Sequence, residues 1–285
     1  MSAIVNQQQA EAWNGWEGQH WADHPERYDA MLEGFNAPLF EAADIGERHE
    51  VLDVGCGAGL TTRMAARRAR RGHALGIDLS GPMLERARST AAAEGIDNVA
   101  FVQGDAQVHP LPVAGFDTVM SRGGVMFFAD PVAAFAHLRA SLVPGGRLAF
   151  LGPHPGGPDG AYARATSALT PHLREASPAA RGMGSLIDPS RITEVLDRAG
   201  YDRVETTAVH GDMGFGADPE DAAGFILSMG PTRYNLRNTD PGTKASLRER
   251  LVDALAEFAT PAGVRIPGSV WIVTAESPGG SVEQR

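Results

Sequence analysis

Cysteine is nearly absent from this sequence, and so are long apolar runs. The 285 residues contain one cysteine, Cys56, which excludes an internal disulfide and favours a reducing, cytoplasmic compartment. No stretch approaches the roughly 18 consecutive apolar residues of a membrane helix. The first residues have neither the basic nor the apolar segment of a signal peptide. We therefore expect a cytoplasmic globular protein that does not act in a membrane.

Basic residues are also fewer than acidic residues in this sequence. Lys and Arg number 25 against 35 Asp and Glu, which gives a formal net charge of −10. Because binding to phosphates depends on a surplus of cations, this balance argues against a nucleic-acid partner. One basic run, at residues 67–71, closes a predicted helix, where cations complement the helix dipole. Hydrophobic residues make up 43% of the chain, which is enough for a substantial core.

Short apolar runs alternate with amphipathic segments between residues 50 and 151. This order is typical of βαβ units and predicts a parallel sheet with helices on both faces. The predicted strands are Glu50–Val54, Ala74–Ile77, Val99–Gln103, Phe116–Met120 and Arg147–Leu151. The predicted helices between them are Leu60–Arg70, Gly81–Glu94 and Pro131–Ser141.

On either side of residues 50–151, the alternation of apolar runs and amphipathic segments is less regular. Segment Gln7–Ile45 is helical in pattern and has Trp13, Trp16 and His20 on one face, either as core packing or as ligand contacts. Asp188 is a candidate N-cap for the helix that follows it. The second half is predicted to contain helices at Pro189–Ala199, Pro219–Met229 and Thr243–Ala259, and strands at Tyr201–Val209 and Val270–Ala275.

A glycine-rich turn follows the first predicted strand in the sequence VLDVGCGAGL, residues 51–60. Glycines there permit a tight turn and close approach of the backbone to a ligand. Dinucleotide enzymes have such a loop as well. Asp53, however, lies two residues before Gly55. A carboxylate at that place is a poor neighbour for a pyrophosphate and suits a ligand with a positive charge, such as an ammonium group.

Two further carboxylates follow the next two predicted strands. Asp78 ends the second strand, 21 residues after Gly57, where an acid accepts hydrogen bonds from ribose hydroxyls. Asp105 ends the third strand and can accept a hydrogen bond from an adenine amino group. Ligands of open α/β sheets bind beyond the carboxyl ends of the strands, so all three acids are expected at one site.

Together these residues resemble the class I methyltransferases that depend on S-adenosyl-L-methionine (SAM). The resemblance runs from about Glu50 to Gly152 through DVGCGAG, GIDLSGPML, GDAQ, FDTVMSRGGVMFF and LVPGGRLAF, in that order. The chain is most similar to the small-molecule methyltransferases of the ubiquinone and menaquinone type. The resemblance implies a Rossmann-like, doubly wound α/β fold with a seven-stranded, mostly parallel sheet and an antiparallel last strand. A mostly helical cap is expected in addition.

The resemblance implies SAM as the cofactor and assigns residues to it. Asp53 organises the loop or meets the amino group through water, Asp78 holds the ribose hydroxyls, and Asp105 reads the adenine amino group. Core packing is the alternative for Leu79 and Met83. The remaining implied contacts are Gly55, Gly57 and Gly59 beside methionine and ribose, Leu79 and Met83 around the adenine, Ala106 through its backbone N–H, and Ser121 and Arg122 near the methionine.

Histidines that follow strand ends are candidates for a general base, which an acceptor that loses a proton requires. His154, directly after the fifth predicted strand, is the first candidate for a catalytic residue. His20, His24, His109 and His210 remain open. No cluster of His, Cys, Asp or Glu has the spacing of metal ligands, so no metal is expected.

The chain is expected to divide into four parts. An N-terminal helical segment (1–46) closes over the cofactor, and residues 47–152, 188–209 and 269–276 form the Rossmann-like core. Residues 153–187 and 210–268 are insertions that cap the substrate face, and residues 277–285 form a disordered tail.

Apolar residues in the two insertions predict an acceptor with an apolar or aromatic body. The predicted function is methylation of a small molecule on oxygen, nitrogen or carbon, in secondary metabolism, by a monomer or homodimer. A non-catalytic SAM-binding subunit and a nicotinamide-dependent oxidoreductase are the alternatives.

Overall fold

The computed structural model describes residues 4–156 and 160–279. Its N-terminal part consists of four helices of eight residues each. The helices are separate because Gly15 is extended and Pro25 begins a new helix. They are α1 (Gln7–Asn14), α2 (Trp16–Asp23), α3 (Pro25–Leu32) and α4 (Asn36–Ala43), with a 3-10 turn at Glu33–Phe35.

Strands and helices then alternate, as the sequence predicts for residues 50–151. The strands are β1 (Glu50–Val54), β2 (His73–Asp78), β3 (Val99–Gln103), β4 (Phe116–Arg122) and β5 (Leu142–Pro153). The helices are α5 (Leu60–Arg68), α6 (Gly81–Ala93) and α7 (Pro131–Ser141), with a 3-10 turn at Val125–Phe127.

The second half of the chain contains both helices and strands. Its helices are α8 (Ala161–Ala165), α9 (Pro189–Arg198), α10 (Pro219–Ser228), α11 (Gly230–Asn235) and α12 (Pro241–Leu255). Its strands are β6 (Asp202–Gly216), β7 (Ala259–Thr260) and β8 (Gly263–Glu276). Two 3-10 turns lie at Ser167–Leu169 and Ala256–Phe258.

Seven strands form one continuous sheet in the order β3-β2-β1-β4-β5-β8-β6, and the two-residue β7 pairs with β8. The strands β1 to β5 pair in parallel, whereas β8 runs antiparallel to both β5 and β6. The predicted fold class, a doubly wound and mostly parallel sheet with an antiparallel last strand, is confirmed.

The two C-terminal strands are longer than the sequence indicates. Beyond Val209, β6 continues to Gly216, and β8 begins at Gly263 rather than at Val270. Their extensions pair with each other from His210↔Ser269 to Gly216↔Val264. Residues 210–216 and 263–268, expected in the cap, therefore lie in the sheet. Glycines and Pro267 obscure the alternation from which a strand is predicted, and only the pairing shows it.

Helix starts follow local capping chemistry. Asp188 accepts a hydrogen bond from the Ser190 N–H (2.9 Å), so it is the N-cap of α9 as predicted. Asp240 caps α12 in the same way and starts that helix at Pro241, two residues before the predicted Thr243. A side-chain oxygen at the N-cap satisfies a backbone N–H that has no partner in the helix.

Three apolar clusters hold the layers together. One packs α7 and α9 on the sheet around Phe135 and Phe150, and another packs α4 and α5 on the opposite face around Phe35 and Leu39. The third joins α8, α10 and α12 to the extended ends of β6 and β8 around Phe215. The helices beyond the sheet thus have a core of their own, next to the carboxyl ends of the strands.

The predicted disordered tail, 277–285, is described only in part. Ser277 is buried and exchanges backbone hydrogen bonds with Gly145 and Gly146 in the first part of β5, so this residue is fixed against the sheet. Residues 280–285 lie outside the described residues. Within residues 4–156 and 160–279, no helix is long and apolar enough to cross a membrane.

Gly59, the N-cap of α5, offers a test of how tightly the loop is packed. Its φ is +79°, and a Cβ there would lie 2.7 Å from Phe101 Cε1 and 2.8 Å from Ala87 Cβ. We expect Gly59→Ala to lower the free energy of unfolding by about 2–4 kcal/mol, from overpacking and left-handed strain together. Urea denaturation measures this loss.

Gly95 is the matched control. Its φ is +64°, but a Cβ there meets no described atom within 4 Å. Gly95→Ala should therefore cost only the backbone strain, about 1 kcal/mol. Equal losses in the two variants would show that contact with Phe101 and Ala87 contributes nothing.

Candidate active site

The glycine loop closes the carboxyl end of β1 through three glycines with different surroundings. The N–H groups of Gly55 and Cys56 both donate to the Ile77 carbonyl oxygen (2.8 and 3.2 Å). A Cβ on Gly55 would lie 2.6 Å from the Gly124 Cα, whereas one on Gly57 would meet only the Met83 sulfur at 3.6 Å. Gly55 and Gly59 are thus required for packing, and Gly57 borders the space that is free for a ligand.

Asp53 lies beneath this loop and is fully buried. Its Oδ2 accepts hydrogen bonds from the hydroxyls of Thr61 and Thr62, both at 2.7 Å, while Oδ1 has no partner among the described residues. Burial raises the pKa of this carboxyl to about 6, against the opposing effect of the two threonine hydroxyls and of Arg122. A buried, unpaired carboxylate oxygen fits a ligand with a cationic or N–H donor.

Asp78, at the end of β2, shapes the loop directly. Its Oδ2 accepts the Gly57 N–H and its Oδ1 accepts the Ser80 N–H, both at 2.8 Å. Burial raises the pKa of this carboxyl, which these backbone hydrogen bonds oppose. Each oxygen keeps lone-pair capacity, so the loop-shaping role leaves room for two hydroxyl donors of a ligand.

Leu79 and Met83 follow Asp78 at the start of α6. Met83 is buried near Gly57, and Leu79 is half-buried. The Leu79 carbonyl oxygen accepts hydrogen bonds from the side-chain amides of Asn14 and Gln103, both at 2.9 Å. The turn after β2 is therefore tied to helix α1, which covers it.

Asp105 was expected to accept a hydrogen bond from an adenine amino group, but its carboxylate is hydrogen-bonded within the protein. Its Oδ2 accepts the backbone N–H groups of Val5 (3.0 Å) and Asn6 (2.9 Å), and its Oδ1 accepts the backbone and side-chain N–H groups of Gln107 (3.1 and 3.0 Å). Both oxygens carry two donors, which fills the capacity of a carboxylate. In this structure Asp105 thus anchors the N-terminal segment, and Ala106 beside it is buried.

Ser121 and Arg122 end β4 and are also engaged within the protein. The Ser121 hydroxyl donates to the Val54 carbonyl oxygen (2.7 Å) and accepts the Gly124 N–H (3.0 Å), which joins β1 to the turn after β4. Arg122 pairs with Asp29 and donates to Asn36 Oδ1 at 3.0 Å. Ser121 therefore fixes the turn after β4 to β1, and Arg122 holds the N-terminal helices to the sheet.

His154, the first candidate for a base, follows β5. Its ring lies 4.3 Å from the Trp271 ring and 6.4 Å from that of His210. Its Nδ1 is buried and has no partner among the described residues. A ring nitrogen in that state can take part in a hydrogen bond with a ligand.

His210 is thus near His154, and the remaining candidate histidines lie at two other places. His109 is next to Gly104, and its Nδ1 is also buried without a described partner. His20 stacks on Trp16 at 4.8 Å and lies 4.7 Å from His24. Burial, His24 and Arg233 lower the pKa of His20. No group of His, Cys, Asp or Glu within the described ranges is arranged to hold a metal ion.

The N-terminal segment contributes site residues that the sequence alone did not indicate. Asn6, Asn14, Asp29 and Asn36 all bond to residues at or just beyond the strand ends. Their partners are between 65 and 121 positions away along the chain. The nearest available signal was the tryptophan face of the N-terminal helices, which marks a helix that packs on something but does not say on what.

The glycine loop and three strand-end acids lie within the region that matches a known family. Residues 51–146 match the family model described as a methyltransferase domain. The chain thus has a SAM-dependent methyltransferase domain. The resemblance inferred from the five sequence segments is confirmed, and so is SAM as the cofactor of this family.

Two relatives differ in how far the match extends. Aklanonic acid methyltransferase DauC of a Streptomyces species is 39% identical over 109 residues, which cover 38% of this chain and 49% of that protein. Nocamycin O-methyltransferase of Saccharothrix syringae is 28% identical over 253 residues, which cover 81% of this chain and 88% of that protein. The chain thus spans about half the length of the first relative, and the second match extends well beyond the methyltransferase domain.

One solved structure with a similar fold is named as a cyclase rather than as a methyltransferase. The [4+2]-cyclase SpnF superposes with a TM-score of 0.52 at 20% identity, covering 86% of this chain and 80% of that one. At this identity the likeness shows the fold alone. The fold of the methyltransferase domain and its flanking helices therefore recurs in a protein named for another reaction.

The buried Asp53 makes the stability of the protein depend on pH. Its pKa in the folded protein, about 6, is above its ordinary value of 3.8. Its contribution to stability is therefore full below about pH 4 and is lost as the pH rises through 6. A shift of this size corresponds to about 3 kcal/mol at pH 7.

We expect Asp53→Asn to remove this pH dependence, because asparagine is neutral and keeps an oxygen for Thr61 and Thr62. Without cofactor, the variant should be more stable than the wild type at pH 7, and the difference should close towards pH 4. Urea denaturation at pH 4, 5, 6 and 7 measures it. A difference that stays constant across this range would contradict the raised pKa.

Proposed function

We propose that this protein transfers the methyl group of SAM to an oxygen atom of a small molecule of secondary metabolism. The observation that carries the proposal is the match to nocamycin O-methyltransferase, which covers 81% of this chain and so extends well beyond the methyltransferase domain. The name of aklanonic acid methyltransferase supports the same class of acceptor. Methylation of a nitrogen or carbon atom instead is a possible result of the screen described below.

The cofactor contacts are part of this proposal. We assign the free side of Gly57, the unpaired Asp53 Oδ1 and the remaining lone pairs of Asp78 to SAM. Leu79 and Met83 border the adenine, and Asp105 and Ala106 lie next to it. Gly55, Gly59, Ser121 and Arg122 support the cofactor site through the packing and hydrogen bonds described above. SAM supplies a methyl group that is already activated on a sulfonium.

The protein's own contribution is alignment and exclusion of water. Positioning two reactants can supply roughly 7–11 kcal/mol of a barrier. Helices α1–α3 and the apolar cluster of α8, α10 and α12 lie beside the strand ends and can enclose an apolar acceptor. We propose that residues 1–46 close over the cofactor and that the segments from 153–187 and between β6 and β8 cap the acceptor.

A SAM-binding subunit without methyl transfer is the main alternative, and the fold of the cyclase SpnF is the reason to test it. The experiment is a screen of small metabolites with SAM carrying a labelled methyl group. We expect a labelled product, with S-adenosylhomocysteine formed only when an acceptor is present.

Calorimetry with SAM and NADH tests the oxidoreductase alternative, because binding of NADH but not SAM would contradict the proposal.

The proposal includes the setting in which the protein acts. We infer a small-molecule acceptor without a nucleic-acid partner from the net charge of −10. The single cysteine favours the cytoplasm, and a monomer or homodimer is expected. Size-exclusion chromatography with light scattering measures the oligomeric state.

Asp78 tests the cofactor site. Asp78→Ala removes the acceptor for two ribose hydroxyls and for the Gly57 N–H, so we expect the Kd for SAM to rise more than tenfold. Isothermal calorimetry measures it. Asp117→Ala is the matched control, because Asp117 also accepts a backbone N–H, from Glu50 at 2.8 Å, but at the amino ends of β1 and β4. An unchanged Kd in Asp78→Ala would remove this residue from the cofactor site.

His154 tests the catalytic assignment. We propose it as the general base for an acceptor that loses a proton, and we expect His154→Ala to lower kcat by roughly 100-fold or more while the Kd for SAM is retained. His210→Ala is the control, since that ring lies 6.4 Å away and its Nδ1 already pairs with the Ser269 hydroxyl at 2.7 Å. Full activity of His154→Ala would leave alignment alone as the mechanism or assign the base elsewhere.

A further inference from the structure

A row of aromatic rings crosses from the methyltransferase domain to the cap. Phe127 lies 6.0 Å from Trp13, Trp13 lies 5.6 Å from Trp21, and Trp21 stacks on Tyr28 at 3.6 Å between ring centroids. Tyr28 in turn lies 5.2 Å from Phe225 on α10. The row therefore connects the turn after β4 with the cap helices through α1, α2 and α3.

Helix α3 holds the Tyr28 end of this row between the sheet and the cap. On one side, Asp29 pairs with Arg122 at the end of β4. On the other, Arg27 pairs with Asp221 of α10 at 2.7 Å and donates to the Phe215 carbonyl oxygen at 2.8 Å. Tyr28, between these two ion pairs, lies where the methyltransferase domain, the N-terminal helices and the cap meet.

The Tyr28 hydroxyl is a buried polar group without a partner. The residue is 3% exposed, and its hydroxyl forms no hydrogen bond with any described residue. Burial, and secondarily the charge of Glu17, raises the pKa of this phenol, so it stays protonated at neutral pH. A buried hydroxyl without a partner is unfavourable unless a ligand supplies one.

The neighbours of this hydroxyl are already engaged or uncharged. Glu17 accepts the Ser177 hydroxyl at 2.8 Å and the Ala179 N–H at 3.1 Å. The His20 ring faces the Tyr28 ring edge-on at 6.0 Å, and its lowered pKa keeps it neutral at pH 7. The phenol therefore lies among aromatic rings and beside a carboxylate that is already hydrogen-bonded, and its own O–H has no acceptor among the described residues.

We propose that the Tyr28 hydroxyl recognises the methyl acceptor by donating a hydrogen bond to one of its oxygen atoms. The acceptor is then a molecule with an apolar or aromatic body, which packs among the rings of the row, and an oxygen that reaches Tyr28. This inference rests on the proposed function, because it takes the space between cap and strand ends to be the acceptor site.

The test compares two probes that differ by one hydroxyl, p-cresol and toluene, in the presence of S-adenosylhomocysteine. Ligand-observed NMR titration gives the Kd of each. We expect the wild type to bind p-cresol about tenfold more tightly than toluene, as one hydrogen bond can provide. In Tyr28→Phe the two probes should bind alike, because only the donor is lost.

Tyr201→Phe is the matched control. Tyr201 is also 3% exposed and its hydroxyl also lacks a described partner, but it packs against Phe135 on the α7 and α9 face of the sheet. It should retain the preference of the wild type. Neither variant should lose thermal stability, since neither hydroxyl forms a bond in the folded protein, and melting curves verify that both are folded.

Two results would overturn the inference: a wild type that does not prefer p-cresol, or a Tyr28→Phe variant that still does. The binding measurement does not involve methyl transfer, so it separates the two proposals. If the screen with labelled SAM finds no product while Tyr28→Phe abolishes the preference, the proposed function fails and the recognition by Tyr28 stands. With an acceptor from the screen, Tyr28→Phe should raise KM about tenfold and leave the Kd for SAM unchanged.

Discussion

The hydrogen bonds between the buried Asp53 carboxylate and the hydroxyls of Thr61 and Thr62 are the contact on which the site depends. They fasten the first turn of α5 to the end of β1 and so determine where the glycine loop between them can lie. Removing a carboxylate from water is costly, and the raised pKa of Asp53 reflects that cost. The other oxygen has no partner among the described residues, and this is the acceptor that the proposed function assigns to a donor group of the cofactor.

The N-terminal helices form the second half of this arrangement. They are not an independent unit, because backbone N–H groups of residues 5 and 6 are held by Asp105 and because Asp29 holds Arg122. Residues at the ends of β3 and β4 thus bind the N-terminal helices, and the aromatic row from Phe127 to Phe225 continues from these helices to the cap. Under the proposed function, the cofactor site and the acceptor site would share this wall.

Much of the methyltransferase domain could be predicted because its signals are local. Strands β1 to β5 follow from apolar runs, and the glycine loop with Asp53 and Asp78 follows from spacing within a few residues of the strand ends. The extensions of β6 and β8 could not, since glycines and Pro267 weaken the pattern and only their mutual pairing stabilises them. The bond from Asp105 to the N-terminal segment could not either, because Val5 and Asn6 are about 100 positions away in the sequence.

By itself the sequence determined the order of strands and helices in the domain, the glycine loop, the acids at three strand ends and hence the family. These depend on hydrophobic periodicity and on short-range backbone geometry, which neighbouring residues control. Tertiary structure alone decided which of these groups remain available. It engages Asp105 and Ser121 within the protein, leaves Asp53 Oδ1 and the Tyr28 hydroxyl without partners among residues 4–156 and 160–279, and gathers four short helices over the strand ends. Burial and pairing belong to the whole fold, because each depends on segments that are distant along the chain.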